Sequence, residues 1–278
     1  MHFKLFLRLI VLSFTVTLSA QELTAFSINI RYNSNNDGDD LWELRKKEVV
    51  EHIATQKPSV FGVQEATHTQ MLYLNEELPN YTYVGVGRDD GKTKGEYSAI
   101  FYHKGEVELI EEETFWLSST PERVSKGWDA VIVRVCTYAK FKHIESERQF
   151  WHFNTHFDHI GQMARTESAI LIREKIKSIN REQLPVVLSG DFNALPEEQP
   201  IAELKKLFRD PLEDIVLIGP LGTFNGFEVG VQPDRRIDYI FSDGFNVKSY
   251  KHLDDKRKNG RWISDHLAVS IHLFFKEL

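Results

Sequence analysis

The sequence predicts an α/β protein in which two mixed sheets pack face to face with helices outside. Three observations predict this. Apolar strand-like runs alternate with helical periods near both ends of the chain. The middle holds strands joined by tight turns, so it reads as antiparallel. Several strands also end in a polar residue, as strands do when they deliver side chains to one shared rim. The 278 residues are 41% hydrophobic and 12% aromatic, which suffices for one large core. No low-complexity linker or repeat divides the chain, so a single domain is the economical reading.

Residues 1–20 stand apart. Lys4 and Arg8 flank or enter an apolar run from Leu5 to Leu18, and Ser19-Ala20 precedes the polar Gln21-Glu22. This is the pattern of a secretory signal peptide, and the run is short for a membrane span. The expectation is a catalytic domain over residues 21–278, secreted or periplasmic, with no transmembrane segment. Leu18 is bulkier than a cleavage motif favours, so the cut position stays open.

The elements follow in order. Leu23–Ile30 reads as a strand ending in Asn29-Ile30-Arg31-Tyr32, followed by a loop rich in Asn, Asp and Gly up to Asp40. Trp42, Val49, Val50 and Ile53 share one helical face, which Pro58 closes. The strand Val60–Val63 carries Gln64-Glu65 at its end. A helix over Thr69–Leu78 and a strand over Tyr81–Val86 complete a β-α-β opening. Tyr97–Tyr102, Val107–Ile110 and Thr114–Leu117 read as three strands. Val131–Cys136 alternates as a half-buried strand, and Glu145-Ser146-Glu147 turns into the strand Gln149–Thr155. A long helix over Gln162–Asn180 precedes the strand Val186–Ser189. A helix over Pro200–Phe208 and the strands Arg236–Phe241 and Leu267–Phe274 finish the chain.

Charge narrows the partners. With 34 basic and 41 acidic residues the formal net charge is −7, and no basic tract stands out. That argues against a stable nucleic-acid partner, although a local patch would still admit nucleic acid as substrate. Cys136 is the single cysteine, so no intrachain disulfide forms and the core must hold the fold. Its alternating context makes it a small packed residue.

The strand ends carry the chemistry. They are Asn29 in Ser-Ile-Asn-Ile-Arg-Tyr, Glu65 in Gln-Glu-Ala, His156 in Asn-Thr-His, and Asp191 with Asn193 in Gly-Asp-Phe-Asn. Asp238 in Arg-Ile-Asp-Tyr-Ile-Phe and Asp265-His266 in Ser-Asp-His complete the series. Each motif alone is a common turn or cap. In this order, and across nearly the whole chain, they resemble the endonuclease/exonuclease/phosphatase superfamily, which includes deoxyribonuclease I. The texture is most similar to bacterial relatives of the carbon-catabolite-repressor-type deadenylases.

The resemblance implies a four-layer α/β/β/α sandwich and cleavage of phosphate esters with Mg²⁺, for which Mn²⁺ is a substitute. It makes Glu65 the first metal ligand, with Asn29 and Asp265 as helpers. Asp191 orients and deprotonates water, and Asn193 holds the same water or a phosphate oxygen. His156 and His266 face the phosphoryl oxygens, and Asp238 pairs with His266. The residue types suit this chemistry independently. A phosphoester's oxygens repel nucleophiles, and a hard cation held by oxygen ligands relieves that repulsion.

Further candidates are weaker. Arg31 is placed at the substrate phosphate, and Asn225, in an exposed loop Thr223–Phe227, at the substrate pocket. Asp158 and His159 read as a hydrogen-bonded structural pair sooner than as a second metal site. Of Trp116, Trp128 and Trp262, at least two belong to the core. The leading expectation is a phosphodiesterase acting on RNA or a nucleotide. A phosphomonoesterase for an inositol or sugar phosphate is the alternative, followed by a non-catalytic binding module. A glycosidase with paired carboxylates would leave both His and the Asn residues unexplained. Metal number and oligomeric state stay open.

Overall fold

The computed structural model of the chain describes residues 22–277. The expected signal peptide lies outside the described residues. The strands are β1 (Glu22–Asn29), β2 (Val60–Ala66), β3 (Tyr81–Val84), β4 (Tyr97–His103), β5 (Val107–Trp116) and β6 (Val135–His143). They continue as β7 (Gln149–His156), β8 (Val186–Asp191), β9 (Leu217–Ile218), β10 (Asp238–Asp243), β11 (Phe245–Leu253) and β12 (Ala268–Phe275). The helices are α1 (Trp42–Gln56), α2 (His68–Glu77), α3 (Gln162–Ile179) and α4 (Gln199–Leu204).

Seven strands form one sheet in the order β3-β4-β2-β1-β12-β11-β9, and five form the other in the order β10-β8-β7-β6-β5. Both are mixed. β1 pairs with β2 in parallel and with β12 antiparallel, while β7 pairs with β8 in parallel and with β6 antiparallel.

Three cores define four layers. Trp42, Val49 and Ile53 of α1, with Met71 and Leu74 of α2, pack on Phe26, Ile28, Phe61 and Val63 of the larger sheet. Ile172 and Ile176 of α3, with Ile201 and Leu204 of α4, pack on Trp151, Phe153, Leu188 and Tyr239 of the smaller one. Ala25, Val60, Phe150, Val187, Ile240 and Ile271 fill the space between the sheets. This is the expected α/β/β/α sandwich.

Period-two geometry then explains the rim. On β7, Phe150, His152, Asn154 and His156 share the face toward the other sheet. On β8 that face carries Val187, Ser189 and Asp191, and on β1 it carries Ala25, Ser27 and Asn29. The inter-sheet space therefore passes from apolar, through a buried polar band, to the functional end. In that band Gln64 donates to Ser27 Oγ at 3.1 Å and to Asn154 Oδ1 at 2.7 Å. His152 Nε2 meets Ser189 Oγ at 2.8 Å.

Several elements differ from expectation. The two short strands expected over residues 107–117 are one edge strand, β5, with a register shift between Leu109 and Glu111. The strand expected from Val131 begins only at Val135. Asp158 accepts the backbone N–H groups of Val131 and Ile132 (3.2 and 3.4 Å), which diverts that stretch from ladder pairing. β11 carried no readable alternation because a shift between Val247 and Ser249 interrupts it. The loop Thr223–Phe227 is largely buried at Thr223 and Asn225, not exposed.

Gly190 is required where it stands. Its φ is +153°, and a Cβ there would lie 2.2 Å from the Thr155 carbonyl oxygen on the paired strand. Gly190→Ala is expected to destabilise the fold by about 2 kcal/mol or more. Urea unfolding of the variant would measure it, and an unchanged midpoint would contradict the clash.

Candidate active site

The smaller sheet places three side chains in one row. His156 pairs with Asp191 across the parallel β7–β8 ladder, and Asp238 pairs with Asp191 across the antiparallel β8–β10 ladder. β1 brings Asn29 across the inter-sheet gap to the same point. Its Nδ2 donates to Asp191 Oδ2 and to Glu65 Oε1, each at 3.0 Å.

Glu65 reaches the rim through a bulge. On β2, Val60, Gly62 and Gln64 face the other sheet, so simple alternation would turn Glu65 toward the helices. A register shift between Val63 and Ala66, with Glu65 at φ +63°, re-aims it. Its second oxygen accepts the Tyr32 N–H at 3.1 Å. Arg31 and Asn193 also have positive φ, 59° and 47°. Strained backbone at three rim positions fits a functional site.

His266 lies between two carboxylates. Its Nδ1 is 2.9 Å from Asp238 Oδ2 and its Nε2 is 3.8 Å from Asp191 Oδ2. Burial alone would lower the His266 pKa, but Asp238 and Asp191 outweigh it and lift the pKa well above the usual value. The two carboxylates thus favour the imidazolium form of His266. His156 is the opposite case. Burial, with Arg134 and Arg88 next, holds it well below the usual value and keeps it neutral. Burial, with Asp238 next, pushes the Asp191 carboxyl up to about 7.

Glu65, Asp191 and His266 bring ligand-type atoms within 4.8 Å of one another. An imidazolium has no lone pair to give, so the two carboxylates are the part of this trio suited to a hard cation. Magnesium sites of this kind are built from one or two carboxylates plus water and substrate oxygens.

These residues line a cavity of about 520 Å³ together with Arg31, Asn193, Asp265 and residues that sequence reasoning missed. The missed ones are Tyr32, Glu96, Ile132, Arg134, Arg235 and Ile237, while Phe224 comes from the loop expected at the pocket and His159 lines the cavity rather than serving structure alone. Glu96 carried a usable signal, since Gly-Glu-Tyr opens a strand much as Gln-Glu-Ala closes one. Arg134 carried none.

Some expected roles change. Asn29 is an orienting bridge. Its Oδ1 accepts the Arg31 N–H at 3.0 Å, and its Nδ2 donates to both carboxylates. Asp265 lies outside the ligand-type trio. One oxygen accepts from Ser264 Oγ at 3.3 Å and the other is 3.9 Å from Arg31 Nε. Burial pushes its carboxyl up to about 6.

Asn225 does not line the cavity. Its Nδ2 donates to the Ser264 carbonyl at 3.0 Å and its Oδ1 accepts from Phe227 N–H at 2.8 Å, and its neighbour Phe224 lines the cavity instead. Arg31 does line the cavity, although Asp37 clamps its guanidinium at 3.0–3.1 Å. Asn193 Nδ2 is 3.1 Å from both His156 Nε2 and the Phe157 carbonyl oxygen, so it positions His156.

Asp158 accepts four backbone N–H groups, from Val131, Ile132, Ile160 and Gly161, which makes it a loop anchor. His159 bonds Arg134 instead of Asp158. Trp116 and Trp262 are buried, with their indole N–H groups on backbone carbonyls, as expected for core residues.

The model of the Endonuclease/Exonuclease/phosphatase family matches residues 26–266. The chain belongs to this family. Its members include phosphoester-cleaving enzymes, and this enzyme shares their fold. Among solved structures, it is similar to a family protein from Bacteroides thetaiotaomicron. The two are 39% identical with a TM-score of 0.88, over 92% of this chain and 98% of that one. It is also similar to a mannosyl-6-phosphatase of B. thetaiotaomicron VPI-5482, at 40% identity and a TM-score of 0.87, over 91% and 100% of the two chains. A curated relative, an uncharacterized protein of Acanthamoeba polyphaga mimivirus, is 30% identical over 159 residues. That match spans 55% of this chain and 59% of the relative's length.

Proposed function

We propose that this enzyme is a Mg²⁺-dependent phosphomonoesterase acting on a small hydroxylated phosphate, with a sugar phosphate as the best candidate. The observation that carries this reading is the cavity itself. Its floor of carboxylates and histidines is walled by Arg31, Arg134 and Arg235 on one hand and by Glu96 on the other. The guanidinium groups suit a dianionic phosphoryl group. Ile132 and Phe224 supply apolar wall, so the shape suits a compact end group. The 40% identity to a mannosyl-6-phosphatase over 91% of the chain supports the same substrate class. On this support we rank the monoester ahead of the diester that the sequence alone put first.

Glu65 and Asp191 would hold the cation, which when bound neutralises charge on the phosphoryl oxygens. Asp191 orients the attacking water, with its other oxygen fixed by the Asn193 N–H at 2.9 Å. The His266 imidazolium donates to a phosphoryl oxygen as negative charge grows there. Asn29 keeps the two carboxylates in place. The leader-like pattern at residues 1–20 supports export. Mass spectrometry of the natively produced protein would then find an N-terminus near Gln21, and a retained leader would refute export.

A substrate screen tests the chemistry. With Mg²⁺, hexose 6-phosphates and p-nitrophenyl phosphate are expected to turn over at least ~10-fold faster than bis-p-nitrophenyl phosphate or single-stranded RNA. EDTA should remove the activity, and Mg²⁺ or Mn²⁺ should restore it. A faster diester would return the phosphodiesterase reading. Full turnover in EDTA would remove the metal from it.

A further inference from the structure

Glu96 is out of place in a site built for an anion. It lines the catalytic cavity, where a second carboxylate wall repels phosphate. It is also held firmly. Arg88 Nη1 and Nη2 donate to its two oxygens at 2.6 and 2.9 Å. Arg88 is itself anchored, because its carbonyl accepts the Trp116 indole N–H at 2.8 Å and its N–H donates to the Glu96 carbonyl at 3.1 Å. A carboxylate fixed in this way still has lone pairs to accept from further donors. Hydroxyl groups are such donors, and phosphate is not.

Beyond Glu96 the cavity does not end. A second cavity of about 420 Å³ shares Glu96 and Tyr32 as walls and adds His68, Arg88, Asp89 and Thr93. Its lining mixes two aromatic rings with carboxylate, guanidinium and hydroxyl groups. That is the chemistry that grips a polyhydroxylated ring, with flat faces for C–H surfaces and paired donors and acceptors for hydroxyls. His68 is held by Tyr97 Oη at 2.9 Å, so the ring is fixed before a ligand arrives.

We propose that Glu96, gripped by Arg88, selects the leaving group by accepting its hydroxyls, and that the cavity beyond it receives a second hydroxylated ring. The preferred substrate is then a disaccharide or longer glycan whose terminal ring carries the phosphate. This rests on the phosphomonoesterase reading. It adds which part of the substrate is recognised and by which residues.

The test is a ladder of three substrates: p-nitrophenyl phosphate, a hexose 6-phosphate, and a disaccharide phosphorylated on one ring. In the wild type, kcat/KM should rise along the ladder, by ~10-fold or more at each step. Glu96→Gln should reduce the ratio of hexose phosphate to p-nitrophenyl phosphate at least ~10-fold. Thr93→Trp, which fills the outer cavity, should reduce the ratio of disaccharide to hexose phosphate. If Glu96→Gln fails to fold because half-buried Arg88 loses its partner, Glu96→Asp keeps the charge and serves the same ratio. A flat wild-type ladder, or ratios unchanged in the variants, would overturn the proposal while leaving the phosphatase intact. A diester preference would overturn the phosphatase reading instead. Saturation-transfer NMR with the unphosphorylated disaccharide then still decides the outer cavity. Contacts in the wild type that vanish in Thr93→Trp support it, and no contact in the wild type refutes it.

Discussion

Asp191→Asn is expected to lower kcat roughly 10³-fold or more, because one substitution removes both the water-orienting base and a cation oxygen. Asn has the shape of Asp, and its one carbonyl oxygen keeps one of the two present hydrogen bonds, either that from Asn29 Nδ2 to Oδ2 at 3.0 Å or that from the Asn193 N–H to Oδ1 at 2.9 Å. The fold should hold. Burial already disfavours the ionised Asp191, so a neutral amide removes a charge the interior resists. The lost charge and the lost hydrogen bond offset each other, so thermal unfolding should change little, while single-turnover hydrolysis collapses. Isothermal titration with Mg²⁺ should show weaker binding. A variant retaining a tenth of wild-type kcat would remove Asp191 from the centre of the reaction.

Asp238→Asn should cost roughly 10²-fold in kcat through His266. Asp238 Oδ2 lies 2.9 Å from His266 Nδ1, and with Asp191 it keeps the ring protonated against the pull of burial. The sign of the pH effect follows. A raised pKa means the charge persists as pH rises and is lost only through the folded-state value. Removing Asp238 lowers that value, so the alkaline limb of the rate profile should move to lower pH. The defect should be smallest in acid and grow with pH. A merely structural role for Asp238 would lower the rate equally at every pH, and near-normal turnover would take the residue out of the mechanism. Asp191 lies on the other side of the same imidazole, so the double variant should lose less than the product of the two single losses.

Much of the site was legible because strands announce their ends. Apolar alternation followed by Asn, Glu, His or Asp marks where a chain leaves the core, and six such ends pointed to one rim. The fold class was legible for the same reason, since β-α-β runs at both ends and turns in the middle leave few layer arrangements. Legibility stopped where alternation breaks. The shift in β11 hid a whole strand, and the four backbone hydrogen bonds of Asp158 shortened β6 in a way no periodicity reports.

The site residues divide along the same line. By itself the sequence determined the sandwich, the absence of disulfide support and the candidate residues of the rim, because these depend on local patterns and residue chemistry. Only the tertiary structure decided what each group does. It set Asn29 as a bridge between Glu65 and Asp191, which lie 36 and 162 residues away. It took Asn225 out of the pocket by closing both ends of its amide. It set Glu96 and Arg134 in the wall beside the catalytic rim. Protonation states, too, came only with packing, as two histidines of one rim are driven in opposite directions by the charges around them. The physical reason is common to all four. A side chain's role is set by which donors, acceptors and charges reach it, and in a two-sheet sandwich those arrive from segments distant in sequence.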